Sequence, residues 1–283
     1  MKLSSSCLLF GAGFFLLSCG GAKTRDNSGE LFALVPSEKT HVTFNNQLTE
    51  GLNTNVLLYE YFYNGGGVCV ADVNGDGWED LYFTGNMTPN RLYLNKGNWQ
   101  FEDVTDAAGV AGRPGPWKTG ACIADVNGDG RPDLFLCYSG KVSGNHRVKQ
   151  LFINEGPDAS GVPHFSEQAA RYGLADSAYT TQVYFFDYDR DGDLDLLELN
   201  HNPKNLPMLN EVSTAAILQQ SNPLTGLRLY RNDGGHFQDV TEAAGISSSD
   251  LSYGLGAGIA DIDGDGWPDV YISNDYAVPD YLY

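Results

Sequence analysis

The sequence predicts an all-β fold, a β-propeller assembled from four-stranded units in tandem. Three observations predict it. A nine-residue acidic pattern, D-x-[DN]-x-D-G-x-x-D, occurs four times, starting at Asp72, Asp125, Asp187 and Asp261. Short apolar runs flank each occurrence, and in the first three units a second pair of strand-like runs follows. The occurrences start 53, 62 and 74 residues apart. A period of that size, with about four strands in each unit, suits propeller blades, which complete their cores only by stacking on their neighbours.

Each unit opens with a small-residue and apolar run: Gly65–Ala71, Thr119–Ala124, Thr181–Phe186 and Gly256–Ala260. The acidic loop comes next. A second strand follows it, at Asp80–Phe83, Asp133–Leu136, Asp195–Glu198 and Asp269–Ile272. These stretches are short, apolar and rich in aromatic or β-branched residues. The third strand is Arg91–Asn95, Gln150–Asn154 or Arg228–Asn232, and the fourth is Trp99–Thr105, His164–Glu167 or His236–Thr241. Asn, Asp and Gly between them suit tight hairpins. A small-residue segment closes each unit, at 106–110, 168–174 and 242–246. The fourth unit stops at Tyr283, inside its expected third strand, so the chain reads as incomplete. His41–Asn45 resembles an orphan fourth strand and is expected to close the last blade of a longer ring.

The loops carry the chemistry. A hard cation such as Ca2+ takes six to eight oxygens at about 2.3–2.6 Å. Positions one, three, five and nine of each loop offer side-chain oxygens, position seven offers a carbonyl, and glycine at position six allows the sharp turn. The predicted ligands are Asp72, Asn74, Asp76, Trp78 and Asp80 in the first loop, and Asp125, Asn127, Asp129, Arg131 and Asp133 in the second. They are Asp187, Asp189, Asp191, Asp193 and Asp195 in the third, and Asp261, Asp263, Asp265, Trp267 and Asp269 in the fourth. Trp78, Arg131 and Trp267 would serve through their carbonyls. About four Ca2+ sites are expected. Plain acidic turns are the bland alternative, but a turn needs one or two such residues, not five in register. The apolar residues at position two (Val73, Val126, Tyr188 and Ile262) are expected to pack under their loops. The third loop also meets an EF-hand pattern, with Glu198 at position twelve, but its flanks read as strands and position twelve elsewhere is Phe83, Leu136 or Ile272. Dockerin-type loops lie much closer together than these.

These residues resemble FG-GAP repeats, also called VCBS repeats, of the kind in integrin α-subunit propellers. The letters nearly survive in Tyr253, Gly254, Gly256, Ala257 and Gly258. More narrowly, Tyr63–Gly67, Phe101–Thr105 and Phe185–Asp189 make the chain similar to the cartilage acidic protein (ASPIC/UnbV-associated) family, in its bacterial lipoprotein form. The resemblance covers 41–283. It implies a calcium-bearing propeller, usually of about seven blades, of which about four are present, in a secreted or cell-surface protein.

Composition agrees. Of 283 residues, 36 are acidic and 17 basic, a net charge of −19. Sixteen of the acids lie in the four loops, so four divalent ions would offset eight of the nineteen excess charges. The balance excludes nucleic acid as partner, since phosphate contact needs a basic face. Lys2 and the apolar stretch Cys7–Leu17 form an export signal. Leu16, Leu17, Ser18 and Cys19 resemble a bacterial lipobox, so residues 1–19 are read as a lipoprotein signal, Cys19 as the lipidated residue and 20–40 as a tether. The expected location is a bacterial cell envelope, by anchoring without crossing the membrane. Cys69 and Cys122 occupy matching strands and are expected to be buried thiols; no cysteine or histidine spacing suggests zinc.

A helix is expected over Leu209–Gln220, inserted between the third and fourth units. Trp78, Trp117 and Trp267 are candidate ligand contacts, because exposed indole stacks on sugars and anchors interfaces. His164 and His236 share one repeat position, which favours a structural role, and no catalytic constellation stands out. The expected function is a non-catalytic module that binds a protein or glycan. The alternative is the propeller part of a secreted lyase or hydrolase.

Overall fold

The computed structural model describes residues 31–204, 209–276 and 278–283. The signal segment and Cys19 lie outside them. The chain divides into two units, Met1–Val35 and Pro36–Tyr283, and the second holds every strand among the described residues.

Four antiparallel sheets follow one another along the chain. The first blade contains β1 (Val68–Ala71), β2 (Asp80–Phe83), β3 (Arg91–Asn95) and β4 (Phe101–Asp103). The second contains β5 (Lys118–Ala124), β6 (Asp133–Tyr138), β7 (Gln150–Pro157) and β8 (Pro163–Glu167). The third contains β9 (Thr180–Phe186), β10 (Asp195–Asn200), β11 (Arg228–Asn232) and β12 (Phe237–Asp239). The fourth contains β13 (Gly254–Ala260), β14 (Asp269–Asn274) and β15 (Tyr281–Leu282). Strand order within each sheet is strand order in sequence, the meander of a propeller blade. The acidic loops join the first two strands of every blade. In the first blade Ala71 pairs with Asp80, and in the second Ala124 pairs with Asp133, so each loop closes a hairpin.

The first strands β1, β5, β9 and β13 lie side by side in that order. Small residues permit the approach. A Cβ on Gly67 would stand 2.6 Å from the Ala121 amide nitrogen, and one on Gly120 would stand 2.0 Å from Gln182 Oε1. Threonines stitch the seam: Thr119 Oγ1 donates to the Thr180 carbonyl at 2.7 Å, and Thr181 Oγ1 to the Gly254 carbonyl at 3.1 Å.

Three apolar cores lie between successive blades. Tyr82, Leu92 and Leu94 of the first blade meet Leu134, Leu136 and Phe152 of the second. Phe135, Cys137 and Leu151 meet Val183, Leu196 and Phe237 of the third. Leu197, Leu199 and Leu229 meet Val270 and Ile272 of the fourth. The period-two alternation of a strand explains the split, since Leu134 and Leu136 face backward while Phe135 and Cys137 face forward. β6 and β10 are therefore buried along their whole length, whereas β1 leaves Val68 and Val70 about 60% and 58% exposed. The thiols of Cys69, Cys122 and Cys137 are free; Cys69 is buried as expected, whereas Cys122 is half-buried.

Three expectations need correction. His41–Asn45 forms no strand; Phe44 stacks on Phe83 with ring centroids 5.0 Å apart, and Thr43 N donates to Tyr93 Oη at 3.3 Å. Trp117 is not a surface contact: it is 5% exposed and packs on Tyr59 and Phe62. Val73 and Val126 lie buried under their loops, but Ile262 is 59% exposed. The physical reason is shared, because the position-two side chain packs into the core with the following blade, and the described residues contain none after the fourth. The inserted helix does form, over Glu211–Leu218, with a capping box between Asn210 and Ser213. Glu198 is a strand residue in β10, paired with Lys149 Nζ at 2.9 Å rather than serving a loop.

Stability should reside in the inter-blade cores. Leu136→Ala and Leu197→Ala each empty a fully buried site and are expected to cost about 2–5 kcal/mol. Val70→Ala on the uncovered face should cost under about 0.5 kcal/mol, and denaturant unfolding of the three variants checks the contrast.

Candidate metal centre

The four loops fold alike because their side chains bind their own backbone. In the first, Asp72 Oδ1 accepts from Gly75 N at 2.8 Å and Asp76 N at 3.1 Å, and Oδ2 accepts from Gly77 N at 2.7 Å. Asp125 repeats this with Asp129 N and Gly130 N, Asp187 with Asp191 N and Gly192 N, and Asp261 with Gly264 N and Gly266 N. The position-five carboxylates of Asp76, Asp129, Asp191 and Asp265 accept from the position-seven N–H groups of Trp78, Arg131, Asp193 and Trp267. Position-six glycines sit at φ of 87°, 83°, 99° and 90°. Position four is left-handed as well, at Gly75, Gly128, Arg190 and Gly264. That second glycine was legible in three of the loops.

Position nine has a further duty. Asp80, Asp133 and Asp195 are 1%, 1% and 0% exposed. One oxygen of each accepts from the position-two N–H of its own loop: Val73 at 3.0 Å, Val126 at 3.0 Å and Tyr188 at 2.8 Å. The other accepts from the backbone N–H of the third strand's fifth residue: Asn95 at 2.8 Å, Asn154 at 2.8 Å and Asn232 at 2.9 Å. Asp269 accepts from Ile262 N at 2.7 Å. Burial raises the carboxyls of Asp80, Asp133 and Asp195 to about 6, against the lowering effect of those two N–H groups. Nearby loop aspartates push the same way as burial.

The donor sets fit a hard cation. In the third loop, carboxylate oxygens of Asp187, Asp189 and Asp195 converge within 4.8 Å of one another, as do those of Asp261, Asp263 and Asp265 in the fourth. Asp189 Oδ1 and Asp193 Oδ1 are buried without any hydrogen-bond partner. A buried anionic oxygen without a partner is costly, and a bound cation removes the cost. The first two loops have Asn74 and Asn127 at position three, and each amide nitrogen donates to the position-five aspartate at 3.1 Å. In the second loop the Arg131 guanidinium also holds Asp129 Oδ2 at 2.6 Å. With three acids and an internal cation, that loop offers the weakest field for an ion.

Trp78 and Trp267 are 53% and 49% exposed, as position seven requires. Arg190 lies 5.3 Å from the Trp267 ring centroid. Trp99, which the sequence reading passed over, is 61% exposed. With Trp78 it flanks a groove that includes Val70, Glu79, Leu81 and Asn98.

The repeats, the meander blades and the loop geometry resemble those of FG-GAP-like repeats. A family profile described as "FG-GAP-like repeat" matches residues 72–136 and 215–272. Among curated proteins the chain is similar to cartilage acidic protein 1 of Xenopus tropicalis (26% identity over 75% of this chain) and of Mus musculus (28% over 74%). It is also similar to the Homo sapiens protein (27% over 75%). The matched part spans 29%, 29% and 28% of those relatives. Among solved structures, the V. cholerae biofilm matrix protein Bap1 aligns with TM-score 0.34 and 15% identity, over 76% of this chain and 26% of that one.

Protons, and any cation held by the loops, would compete for the buried position-nine aspartates. Without metal, the folded carboxyls titrate near 6 against an ordinary 3.8, so the folded state binds protons more tightly than the unfolded chain. Their contribution is fully present below about pH 4 and is lost as pH rises through about 6. The melting temperature in chelator should therefore fall between pH 4.5 and 7, and saturating Ca2+ should abolish or reverse that fall.

Proposed function

We propose that this chain is a calcium-bearing, envelope-anchored propeller module that binds a glycan or protein ligand. The observation that carries the calcium reading is the set of four loops with one geometry, in which Asp189 and Asp193 hold buried oxygens that lack a partner. Calcium is favoured over zinc because the donors are carboxylate, amide and carbonyl oxygens. The anchor rests on the Leu16–Cys19 motif and on the export signal before it.

Binding rather than catalysis is supported by how the buried ionisable groups are used. Glu198 is ion-paired with Lys149, which also contacts Asp176. His201 is enclosed by Tyr59, Tyr61 and Tyr179. Burial lowers its pKa to about 3, so it is neutral at working pH and closed to a substrate. The ligand surface we assign is the groove between Trp78 and Trp99. Indole faces beside the amide of Asn98 and the carboxylate of Glu79 suit the apolar face and hydroxyls of a sugar ring.

After dialysis against trace calcium, the purified chain should retain about four Ca2+ per molecule by elemental analysis, reduced by one in Asp261→Ala/Asp265→Ala. Retention of no metal would remove the calcium reading. On a glycan array, Trp78→Ala and Trp99→Ala should each lose at least about tenfold in affinity. An unchanged array profile would place the ligand elsewhere.

A further inference from the structure

The fifth residue of the third strand is asparagine in each complete blade, at Asn95, Asn154 and Asn232. Strand propensity does not call for it, since asparagine is depleted in strands. Its backbone N–H secures the position-nine aspartate of its own loop. Its side chain does more. Asn154 Nδ2 donates to the Pro132 carbonyl at position eight of the second loop, 3.1 Å away, and to the Val73 carbonyl at position two of the first loop, 2.8 Å away. Asn232 Nδ2 repeats this one blade on, with Leu194 at 3.1 Å and Val126 at 3.3 Å. Asn95 Nδ2 donates to Glu79 at position eight of its own loop, at 3.0 Å. Asn154 and Asn232 are 0% and 1% exposed.

We infer that Asn154 and Asn232 are positioning residues that couple the cation sites of successive blades, each one amide orienting two loops. The inference rests on the calcium reading above. The position-two carbonyl belongs to the peptide between ligands one and three, and the position-eight carbonyl to that between ligands seven and nine. Fixing both fixes the angles at which ligands on either side converge. Asn154 therefore ties the first site to the second, and Asn232 ties the second to the third. A second link reinforces the first joint, since Asn74 Nδ2 donates to the Gly161 carbonyl in the β7–β8 hairpin at 3.1 Å. The ties couple neighbouring sites reciprocally: a change in one blade reaches the loop of the blade before it, and the reverse.

Terbium is the probe, because bound Tb3+ is excited through nearby indole and Trp78 stands in the first loop. With Trp267→Phe as the parent, sensitised emission reports that loop. Asn154→Ala lies in the second blade, yet it should raise the Tb3+ concentration for half-saturation about tenfold, the size usual for an outer-shell partner of a metal site. Asn232→Ala, which reaches only the second and third loops, should leave the curve within about twofold. A general loss of rigidity would move both variants equally. An unchanged curve in Asn154→Ala, or an equal shift in Asn232→Ala, overturns the coupling. A silent parent overturns the cation reading itself and the coupling with it. Near-UV circular dichroism checks that each variant folds, and Asn154→Ser, with the same expected shift, replaces the alanine if it does not.

Discussion

The carboxylate at the ninth position of each loop sits where three segments of a blade meet. It begins the second strand, it accepts the N–H at the loop's second residue, and in three blades it accepts the N–H of the third strand's fifth residue. A single buried aspartate thus closes the loop and fixes the register between the second and third strands. In those three blades it is almost fully buried, so its charge is expensive, and more aspartates lie near it. The two N–H donors relieve part of that cost. A divalent ion held by the same loop would relieve the rest, which is why the fold and the loops' proposed calcium are bound together physically.

From that corner the rest of the architecture follows. The loops sit at one end of the β-hairpins, and their position-two side chains reach into the cores between blades. The asparagine whose N–H the aspartate accepts extends the connection to the previous blade. Blade stacking is apolar along the strands and polar at the loop ends. The apolar part supplies most of the driving force, in proportion to the area removed from water. The polar part selects one stacking geometry, because a slipped blade would leave buried N–H and C=O groups unpaired.

Much of this was legible in the sequence, for a physical reason. The loop pattern is local, so its geometry depends on residues within nine positions, and the strands around it are short and strongly patterned. The third strands Arg91–Asn95 and Arg228–Asn232 fall where the pattern placed them. What depended on neighbours in space was harder to read. Val73 and Ile262 occupy one repeat position, yet one is buried and the other exposed, because burial there is decided by the next blade. Trp117 has the composition of a surface anchor but packs inside against Tyr59 and Phe62. The asparagines at the fifth position of the third strands were visible in every complete unit. Their role was not, because it is exerted through side-chain contacts across 81 and 106 residues of chain.

The central claim is that cations in the acidic loops are part of the fold's stability rather than a decoration of its surface. A ligand bound only by the folded state stabilises by about 2.7 kcal/mol per site at a hundredfold excess over its dissociation constant. For a domain of this size that corresponds to about 5–10 °C from one site alone. Thermal unfolding of residues 20–283 carrying Cys19→Ser, in chelator and across a Ca2+ titration at neutral pH, tests this directly. A saturable rise of at least that size is expected with Ca2+ and little with Mg2+, which demands a small, near-octahedral shell and dehydrates reluctantly. A melting temperature indifferent to Ca2+ would contradict it.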